Sequence, residues 1–155
     1  MKITVLYGTE TGNAEMLAED IASELQSEHT VECCNLCDFP PDAFKSDHLY
    51  LIVCSTYGDG ELPASAQPFA EALETTAPDL SGIHFAVFGL GDSEYEETFN
   101  FGGKRMAELL AARGATQVGE RAKHDASGSD MPEDIALPWA EEVIALAAEK
   151  MQETA

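Results

Sequence analysis

The sequence predicts an α/β domain in which a parallel sheet is doubly wound, with helices on both of its faces. Strand-length runs of apolar residues alternate with segments whose apolar residues recur at helical spacing. No linker, internal repeat or low-complexity tract divides this series. Alternation of this kind is typical of about five parallel strands joined by right-handed crossovers through about four long helices. We therefore expect a single domain over residues 1–155.

The first strand and helix show the change of period most clearly. Ile3 to Tyr7 is an unbroken strand-like run, and from Ala14 to Leu25 the apolar residues lie three or four positions apart. Cys37 to Asp47 contains adjacent prolines and predicts a turn or a single helical turn. The other predicted strands are Thr30–Asn35, Leu49–Cys54, Ile83–Gly89 and Thr116–Glu120, and the other predicted helices are Ala64–Leu73, Phe101–Ala112 and Glu133–Glu149. The large apolar residues expected in the core are Phe69, Phe85, Met106 and Trp139.

The composition is that of a globular protein with a strong excess of acidic residues. The chain carries 29 Asp and Glu against 8 Lys and Arg, a formal net charge of −21. A field of that sign repels nucleic acid phosphates and anionic membrane surfaces, so neither is expected as a partner. The apolar run after Met1 and Lys2 is too short for a signal peptide, and no run reaches the ~18 residues of a membrane span. These features favour a cytoplasmic protein whose partners present basic surfaces.

The cysteines and histidines predict neither a metal site nor a redox pair. Cys33, Cys34, Cys37 and Cys54 lie among apolar residues and are expected to be packing cysteines in a reducing compartment. Cys34 and Cys37 have C-x-x-C spacing, but they lie at the end of a predicted strand. A redox pair of this spacing instead gains its low thiol pKa at a helix N-terminus.

The loop after the first predicted strand, Gly8 to Glu15, has the features of an anion site. Backbone N–H groups at a helix start carry the positive end of the helix dipole, and the hydroxyl groups of Thr9 and Thr11 accompany them. The loop has neither the lysine of a Walker motif nor a G-x-G-x-x-G. It therefore suits a monophosphate held by uncharged donors. The alternative is an ordinary helix capped by Thr9 or Thr11.

Two further loops each combine glycines, acids and one tyrosine. Ser55 to Pro63 follows the third predicted strand and holds Tyr57, and Gly89 to Glu96 follows the fourth and holds Tyr95. Both lie at the carboxyl edge of the predicted sheet, where doubly wound sheets bind ligands. Two tyrosines placed there can grip a flat ring, and the glycines let the backbone approach it. A single loop tyrosine would instead be an ordinary surface residue or a cover on the core.

Three motifs in these loops resemble those of the flavodoxin family. They are T-x-T-G-N at Thr9–Asn13, S-T-Y-G-D-G at Ser55–Gly60 and G-L-G-D-S-x-Y at Gly89–Tyr95, each after a predicted strand. The chain is similar to short-chain flavodoxins, and to the FMN domains of diflavin reductases, over nearly its whole length. The resemblance implies a flavodoxin-like three-layer sandwich whose five-stranded parallel sheet has the order 2-1-3-4-5. It also implies FMN as the cofactor.

The resemblance assigns the FMN contacts residue by residue. The phosphate contacts would be Thr9, Glu10, Thr11, Gly12, Asn13 and Ala14. The flavin ring contacts would be Ser55, Thr56, Tyr57, Gly58, Asp59 and Gly60 on one side, and Leu90, Gly91, Asp92, Tyr95, Phe99 and Asn100 on the other, with Asp125 after the fifth strand. The family often has threonine where this chain has Ala14, which removes one hydroxyl donor. Tyr95 to Asn100 is also one residue longer than the common family spacing.

The function that the resemblance implies is electron transfer, with FMN supplying the chemistry and the protein setting its potentials. Acidic residues of the two tyrosine loops, such as Glu61 and Glu94, would oppose the addition of the last electron and give a low potential. Gly58 would allow a neighbouring peptide to turn when the cofactor is reduced. No catalytic residue is expected, because an electron carrier has no substrate pocket of its own.

The expected partners are basic-faced redox proteins: a donor of the flavodoxin reductase type and a set of acceptor enzymes. We expect a monomer. Two alternatives remain open, namely a flavodoxin-like accessory protein dedicated to one biosynthetic pathway and a small FMN-dependent quinone reductase. A receiver domain of two-component signalling is disfavoured, because it needs a carboxylate where this chain has Cys54 and Ser55.

Overall fold

The chain forms an alternating series of strands and helices. The structure is a computed structural model, and it describes residues 2–8, 13–39, 44, 48–55, 66–76, 78–91, 101–119, 122–125 and 132–153. In chain order the elements are β1 (Lys2–Gly8), α1 (Asn13–Leu25), β2 (Thr30–Asn35), a 3₁₀ turn (Leu36–Asp38), β3 (His48–Ser55), α2 (Gln67–Thr76), β4 (His84–Gly91), α3 (Phe101–Ala112), β5 (Thr116–Gln117), β6 (Ala122–Asp125) and α4 (Pro132–Glu153).

The described strands belong to one parallel sheet in the order β2, β1, β3, β4 and then β5 with β6. Strands β5 and β6 both pair with β4, at its amino and carboxyl halves, so together they occupy the fifth position. The predicted order 2-1-3-4-5 is thereby confirmed. Strand β1 has a partner on each side, and the chain order changes direction there, as in other doubly wound sheets.

The fifth position differs from the single predicted strand Thr116–Glu120. It is interrupted between β5 and β6, where Val118 is buried and Gly119 adopts a φ of +69°. Along β4 the register advances three residues from Phe85 to Phe88, while the facing segment advances five. The segment that faces β4 thus has two more residues than β4 between these pairs, and Gly119 within it has a positive φ that glycine adopts without strain.

Each central strand sends alternate side chains to the two faces of the sheet, and both faces are buried. On β3 the odd-numbered residues from Leu49 to Val53 pack with α1 and α4, and the even-numbered residues from Tyr50 to Cys54 pack with α2 and α3. Burial on both faces explains why this strand is an unbroken apolar run. The predicted core residues are all buried, namely Phe69, Phe85, Met106 and Trp139.

Two helices have bounds that differ from the predicted ones at both ends. Helix α2 was expected over Ala64–Leu73 but spans Gln67 to Thr76. A helix that began at Ala64 would place Pro68 in its interior, where the missing N–H and the ring clash oppose helix, whereas a later start leaves it in the first turn. Helix α4 is longer than predicted at both ends, and the proline within it, Pro138, is exposed. Among the described residues, no helix has the length and apolar character needed to cross a membrane.

The cysteines are not all packing residues, so that prediction is wrong for part of the set. Cys54 is buried, but Cys33 and Cys37 are exposed and Cys34 is half-buried. Desolvation raises the pKa of the Cys33 thiol to about 11. Desolvation and the nearby Asp38 carboxylate also raise the pKa values of Cys34 and Cys37. The C-x-x-C pair therefore lacks the lowered thiol pKa of a redox motif, as the sequence indicated.

Candidate cofactor site

Four strands end side by side at the carboxyl edge of the sheet. Gly8 ends β1, Ser55 ends β3, Gly91 ends β4 and Asp125 ends β6. In the register, Gly8 is paired with the residue before Ser55, Leu90 is paired with Ser55, and Gly91 is paired with Asp125. The loops predicted to hold the cofactor all begin at this row of strand ends. The topology thus brings three separate sequence motifs to one edge.

The described residues include part of the predicted cofactor set. Those within described elements are Asn13, Ala14, Ser55, Leu90, Gly91 and Asp125, and each lies at the carboxyl end of a strand or at the start of α1. The others lie outside the described residues: Thr9, Glu10, Thr11, Gly12, Thr56, Tyr57, Gly58, Asp59, Gly60, Asp92, Tyr95, Phe99 and Asn100. Contacts of the whole set with FMN stay a prediction.

Gly8 allows β1 to end in close contact with the segment before α2. A Cβ built on Gly8 would lie 2.8 Å from the Cβ of Ala66, 3.2 Å from Cδ1 of Leu36 and 3.4 Å from Sγ of Cys54. No side chain fits in this space without displacing its neighbours. The absence of a Cβ on Gly8 therefore fixes where the chain leaves the sheet to enter the T-x-T-G-N motif.

Helix α1 begins directly after that motif. Its first N–H groups have no partner within the helix and carry the positive end of the helix dipole, so they favour an anion. The side chain of Ala14 is fully buried in the core between the sheet and the α1–α4 layer. Ala14 can therefore contribute to the site through its backbone only, which agrees with the loss of the usual threonine hydroxyl.

A side-chain hydrogen bond joins β1 to the first turn of α1. The hydroxyl of Tyr7 donates to Oε1 of Glu15 at 3.3 Å. Both side chains are half-buried, and Tyr7 packs against the core beneath α1 and α4. Desolvation, followed by the charge and hydrogen bond of Glu15, raises the pKa of Tyr7 to about 12. Tyr7 is therefore neutral over the physiological range and acts as a donor.

The charged side chains of α1 and β2 all have one sign. The sequence holds no Lys or Arg between Lys2 and Lys45. Exposed acids on α1 and β2 include Glu19, Asp20 and Glu32. An anion bound at the start of α1 would thus be held by backbone and hydroxyl donors, without a cation from this part of the chain.

Sequence reasoning identified the edge but missed three of its residues. Tyr7, Gly8 and Glu15 were treated as the strand end and the loop ends, without a role of their own. Gly8 could have been singled out, because a glycine at the end of a strand often marks a close backbone approach. The Tyr7–Glu15 bond could not have been found, since only the folded chain brings the two side chains together.

These features fit FMN. The uncharged donors at the start of α1 suit a phosphate group, and the row of strand ends places the beginnings of two glycine-rich loops beside it. A family model described as Flavodoxin matches residues 5–139 of the chain. The chain belongs to the flavodoxin family. The cofactor that membership of this family implies is FMN.

The relatives of this flavodoxin-family protein include both single-domain and multidomain proteins. NADPH-dependent diflavin oxidoreductase 1 of Cryptococcus neoformans is 36% identical over 146 residues, which are 92% of this chain and 24% of the relative. The chain thus spans only a minor part of that relative. Protein MioC of Escherichia coli K12 is 36% identical over 141 residues, 88% of this chain and 92% of MioC. A cysteine-to-alanine mutant of flavodoxin from Pseudomonas aeruginosa has a similar structure, with a TM-score of 0.79 and 36% identity over 95% of this chain and 99% of that one.

Proposed function

We propose that this protein is a low-potential electron carrier that shuttles electrons from a reductase to acceptor enzymes through FMN bound at the carboxyl edge of the sheet. The observation that carries the proposal is the register of the strand ends, in which Gly8, Ser55 and Gly91 bring the three family motifs to one edge. FMN supplies the redox chemistry when bound. The protein supplies binding, exclusion of water and the electrostatic field.

Residues of three loops are proposed to share the binding of FMN. The phosphate is assigned to Thr9–Ala14, where backbone donors at the start of α1 supply the dipole. The ring is assigned to the segments that follow Ser55 and Gly91, with Tyr57 and Tyr95 against its faces. Asp125 is proposed to lie near the ring because β6 ends beside β4.

A low potential follows from the charge distribution. The chain has a formal net charge of −21, and no Lys or Arg occurs between Lys2 and Lys45. The last electron leaves the flavin ring with a negative charge, in a field that already contains the phosphate and many carboxylates, and this raises the free energy of the fully reduced state. We expect the potential for the last electron to lie below that of free FMN.

The outer surface of α1 and β2 is the proposed docking face for a basic redox protein. Glu19, Asp20 and Glu32 are exposed on it. Met16, in the first turn of α1 beside the phosphate motif, is 66% exposed, and with Leu146 it is one of two exposed large apolar residues among those described. An apolar side chain ringed by acids suits a partner surface with an apolar patch ringed by Lys and Arg.

Reduction by an NADPH-dependent flavodoxin reductase tests the docking face. We expect the association rate to fall as salt shortens the Debye length from ~10 Å to ~3 Å. Met16→Gln should slow reduction several-fold at low salt, while the matched change Leu146→Gln on α4 should leave the rate unchanged. Equal rates for the wild type and Met16→Gln would exclude Met16 from the interface.

The comparisons do not favour the alternatives, in which the protein serves a single pathway or reduces quinones itself. We also infer a single domain, because the family match covers most of the chain. The monomeric state and the cytoplasmic location stay predictions. A steady-state assay with NAD(P)H and a quinone separates a carrier from an enzyme, since a carrier turns over only when its reductase is added.

Reconstitution with FMN tests the proposal as a whole. The apoprotein should quench FMN fluorescence stoichiometrically and become yellow, and a reductive titration should give a potential for the last electron below that of free FMN. A protein that stays colourless in excess FMN, with no fluorescence quenching, would refute the proposed function.

A further inference from the structure

We infer that the hydrogen bond between Tyr7 and Glu15 holds the Glu15 carboxylate away from the first N–H groups of α1, so that Tyr7 is a positioning residue for the FMN phosphate. The Tyr7 hydroxyl donates to Oε1 of Glu15 at 3.3 Å. Tyr7 precedes the T-x-T-G-N motif and Glu15 follows it, so this one contact joins the two ends of the segment 9–12. The inference rests on the FMN site proposed above.

The Tyr7 side of the contact is fixed before any ligand binds. Strand β1 lies between two strands, with Tyr7 paired to Asn35 on β2 and to Val53 on β3. The ring of Tyr7 is half-buried and packs against the core beneath α1 and α4. The phenol oxygen is therefore a stationary anchor. The Glu15 side chain that bonds to it is already restricted before FMN binds. Less conformational entropy is then lost on FMN binding, and this favours affinity.

The Glu15 side of the contact has a specific consequence for the anion site. Glu15 is the third residue of α1, the position from which a glutamate side chain commonly reaches back to the N-terminal backbone N–H in a capping box. A carboxylate in that place would occupy a donor that the phosphate needs, and it would repel the dianion. Tyr7 offers the carboxylate another donor. The hydrogen bond thus keeps Glu15 beside β1 and leaves the start of α1 to the ligand.

This arrangement also explains why an acid is tolerated so close to a phosphate. The helix dipole stabilises a carboxylate in the first turn of α1, while the bond to Tyr7 determines the direction in which the carboxylate points. Removal of the Tyr7 hydroxyl should therefore weaken phosphate binding, because the Glu15 carboxylate becomes free to compete for the N-terminal N–H groups of α1.

Titration of the apoprotein with FMN and with riboflavin, followed by flavin fluorescence, tests the inference. Tyr7→Phe should weaken FMN binding by about tenfold, the equivalent of about 1.4 kcal/mol. It should change riboflavin binding by less than about twofold, because riboflavin has the ring but lacks the phosphate. Glu15→Gln keeps an acceptor for Tyr7 and removes the charge, so it should bind FMN at least as tightly as the wild type. Glu24→Gln, further along the same helix and exposed, is the matched control for the loss of a charge and should bind like the wild type.

A double-mutant cycle keeps the test decisive if Tyr7→Phe lowers the stability of the apoprotein. In a Glu15→Ala background the Tyr7→Phe change should no longer weaken FMN binding, because its partner is already absent. An equal loss of FMN affinity in both backgrounds would overturn the inference, and so would a parallel loss of FMN and riboflavin affinity. A wild-type protein that bound no FMN would instead refute the proposed function. That result differs from the two outcomes that would overturn this inference, because in both of those the wild type binds FMN.

Discussion

The two ends of the sheet carry different kinds of residue. At the amino end, β1, β3 and β4 begin with Lys2, His48 and His84. At the carboxyl end, β1 and β4 finish on Gly8 and Gly91. The fold thus places large polar side chains at the amino ends of these three strands, whereas two of the three have no side chain at their carboxyl ends. The carboxyl end is the one at which the family motifs meet.

The two ends also differ in how they are held together. At the amino end, Nδ1 of His48 lies 3.1 Å from Oγ1 of the buried Thr4, and the His48 ring stacks on Tyr50 with centroids 6.0 Å apart. At the carboxyl end, the backbone of Gly8 lies close to the side chains of Ala66, Leu36 and Cys54, and the Tyr7 hydroxyl donates to Glu15. We therefore expect changes at the amino end to alter stability alone, and changes at the carboxyl end to alter FMN binding as well.

Gly8→Ala should produce the largest effect. Its Cβ would lie 2.8 Å from the Cβ of Ala66, a contact that only a movement of β1 or of the segment before α2 can relieve. Overpacking of this kind destabilises a fold by about 1–3 kcal/mol. Since the phosphate motif follows Gly8 directly, we also expect FMN affinity to fall by about tenfold or more. Urea unfolding of the apoprotein and fluorescence titration with FMN measure the two effects separately.

Gly82→Ala is the matched control at the other end of the sheet. Gly82 has a φ of +86°, and nothing lies within 4 Å of the position that its Cβ would take. The substitution should destabilise the fold through backbone strain of about 1–2 kcal/mol and leave FMN affinity unchanged. A loss of FMN affinity equal to that of Gly8→Ala would show that the two ends are not separable in this way.

High pH should weaken the carboxyl end. Burial raises the pKa of Cys54 to about 12, and burial with the Glu15 charge raises the pKa of Tyr7 to about 12. Above pH 9 for the thiol and pH 10 for the phenol, the unfolded chain releases protons that the folded chain retains, so stability falls as pH rises towards 12. Below pH 9 and pH 10, respectively, the thiol and the phenol contribute their full stabilisation. Urea unfolding between pH 8 and pH 11 should show the fall in the free energy of unfolding. Cys54→Ala should make this free energy depend less steeply on pH. An unchanged slope in Cys54→Ala would assign the fall to other groups.

Thr4→Val should have a smaller effect, confined to the amino end. It removes the hydroxyl that lies 3.1 Å from His48 and preserves the shape of the buried side chain, which is 3% exposed. The net loss for one such hydrogen bond is about 0.5–1.5 kcal/mol. We expect a small fall in the urea midpoint and an unchanged dissociation constant for FMN. A change in FMN affinity would mean that the two ends are coupled through β1.

The apolar pattern predicted the order of the elements, because a strand buried on both faces and a helix buried on one have different periods. The same pattern could not separate a central strand from one at the end of the sheet. Cys33 therefore looked like a packing residue, although β2 pairs with β1 alone among the described strands. The interruption of the fifth strand depends on the left-handed conformation of Gly119, which only tertiary contacts determine. Conversely, Pro68 could have corrected the start of α2 from the sequence alone.

The family motifs predict a location for FMN, because they are sets of neighbouring residues at fixed positions relative to a strand. They did not predict the Tyr7–Glu15 bond or the contact of Gly8 with Ala66, since each of these joins residues from different elements. Residue sets within one motif can therefore be predicted from the sequence, whereas contacts between different elements cannot. The substitutions at Tyr7 and Gly8 test such contacts.

The smallest effect should come from the ion pair between α2 and α3, which belongs to neither end of the sheet. Nη2 of Arg105 lies 2.9 Å from Oε1 of Glu74, and the two side chains are 53% and 57% exposed. Exposed pairs of this kind contribute about 0.2–1 kcal/mol, and salt screens them. The net charge of −21 adds an asymmetry: Arg105→Gln removes a cation from an acidic protein, whereas Glu74→Gln removes one of many acids. Arg105→Gln should therefore destabilise the fold more than Glu74→Gln, and the difference should be smaller in high salt. Urea unfolding of both variants at low and high salt measures this difference. Equal effects would show that the local pair, rather than the overall charge, determines stability at this surface.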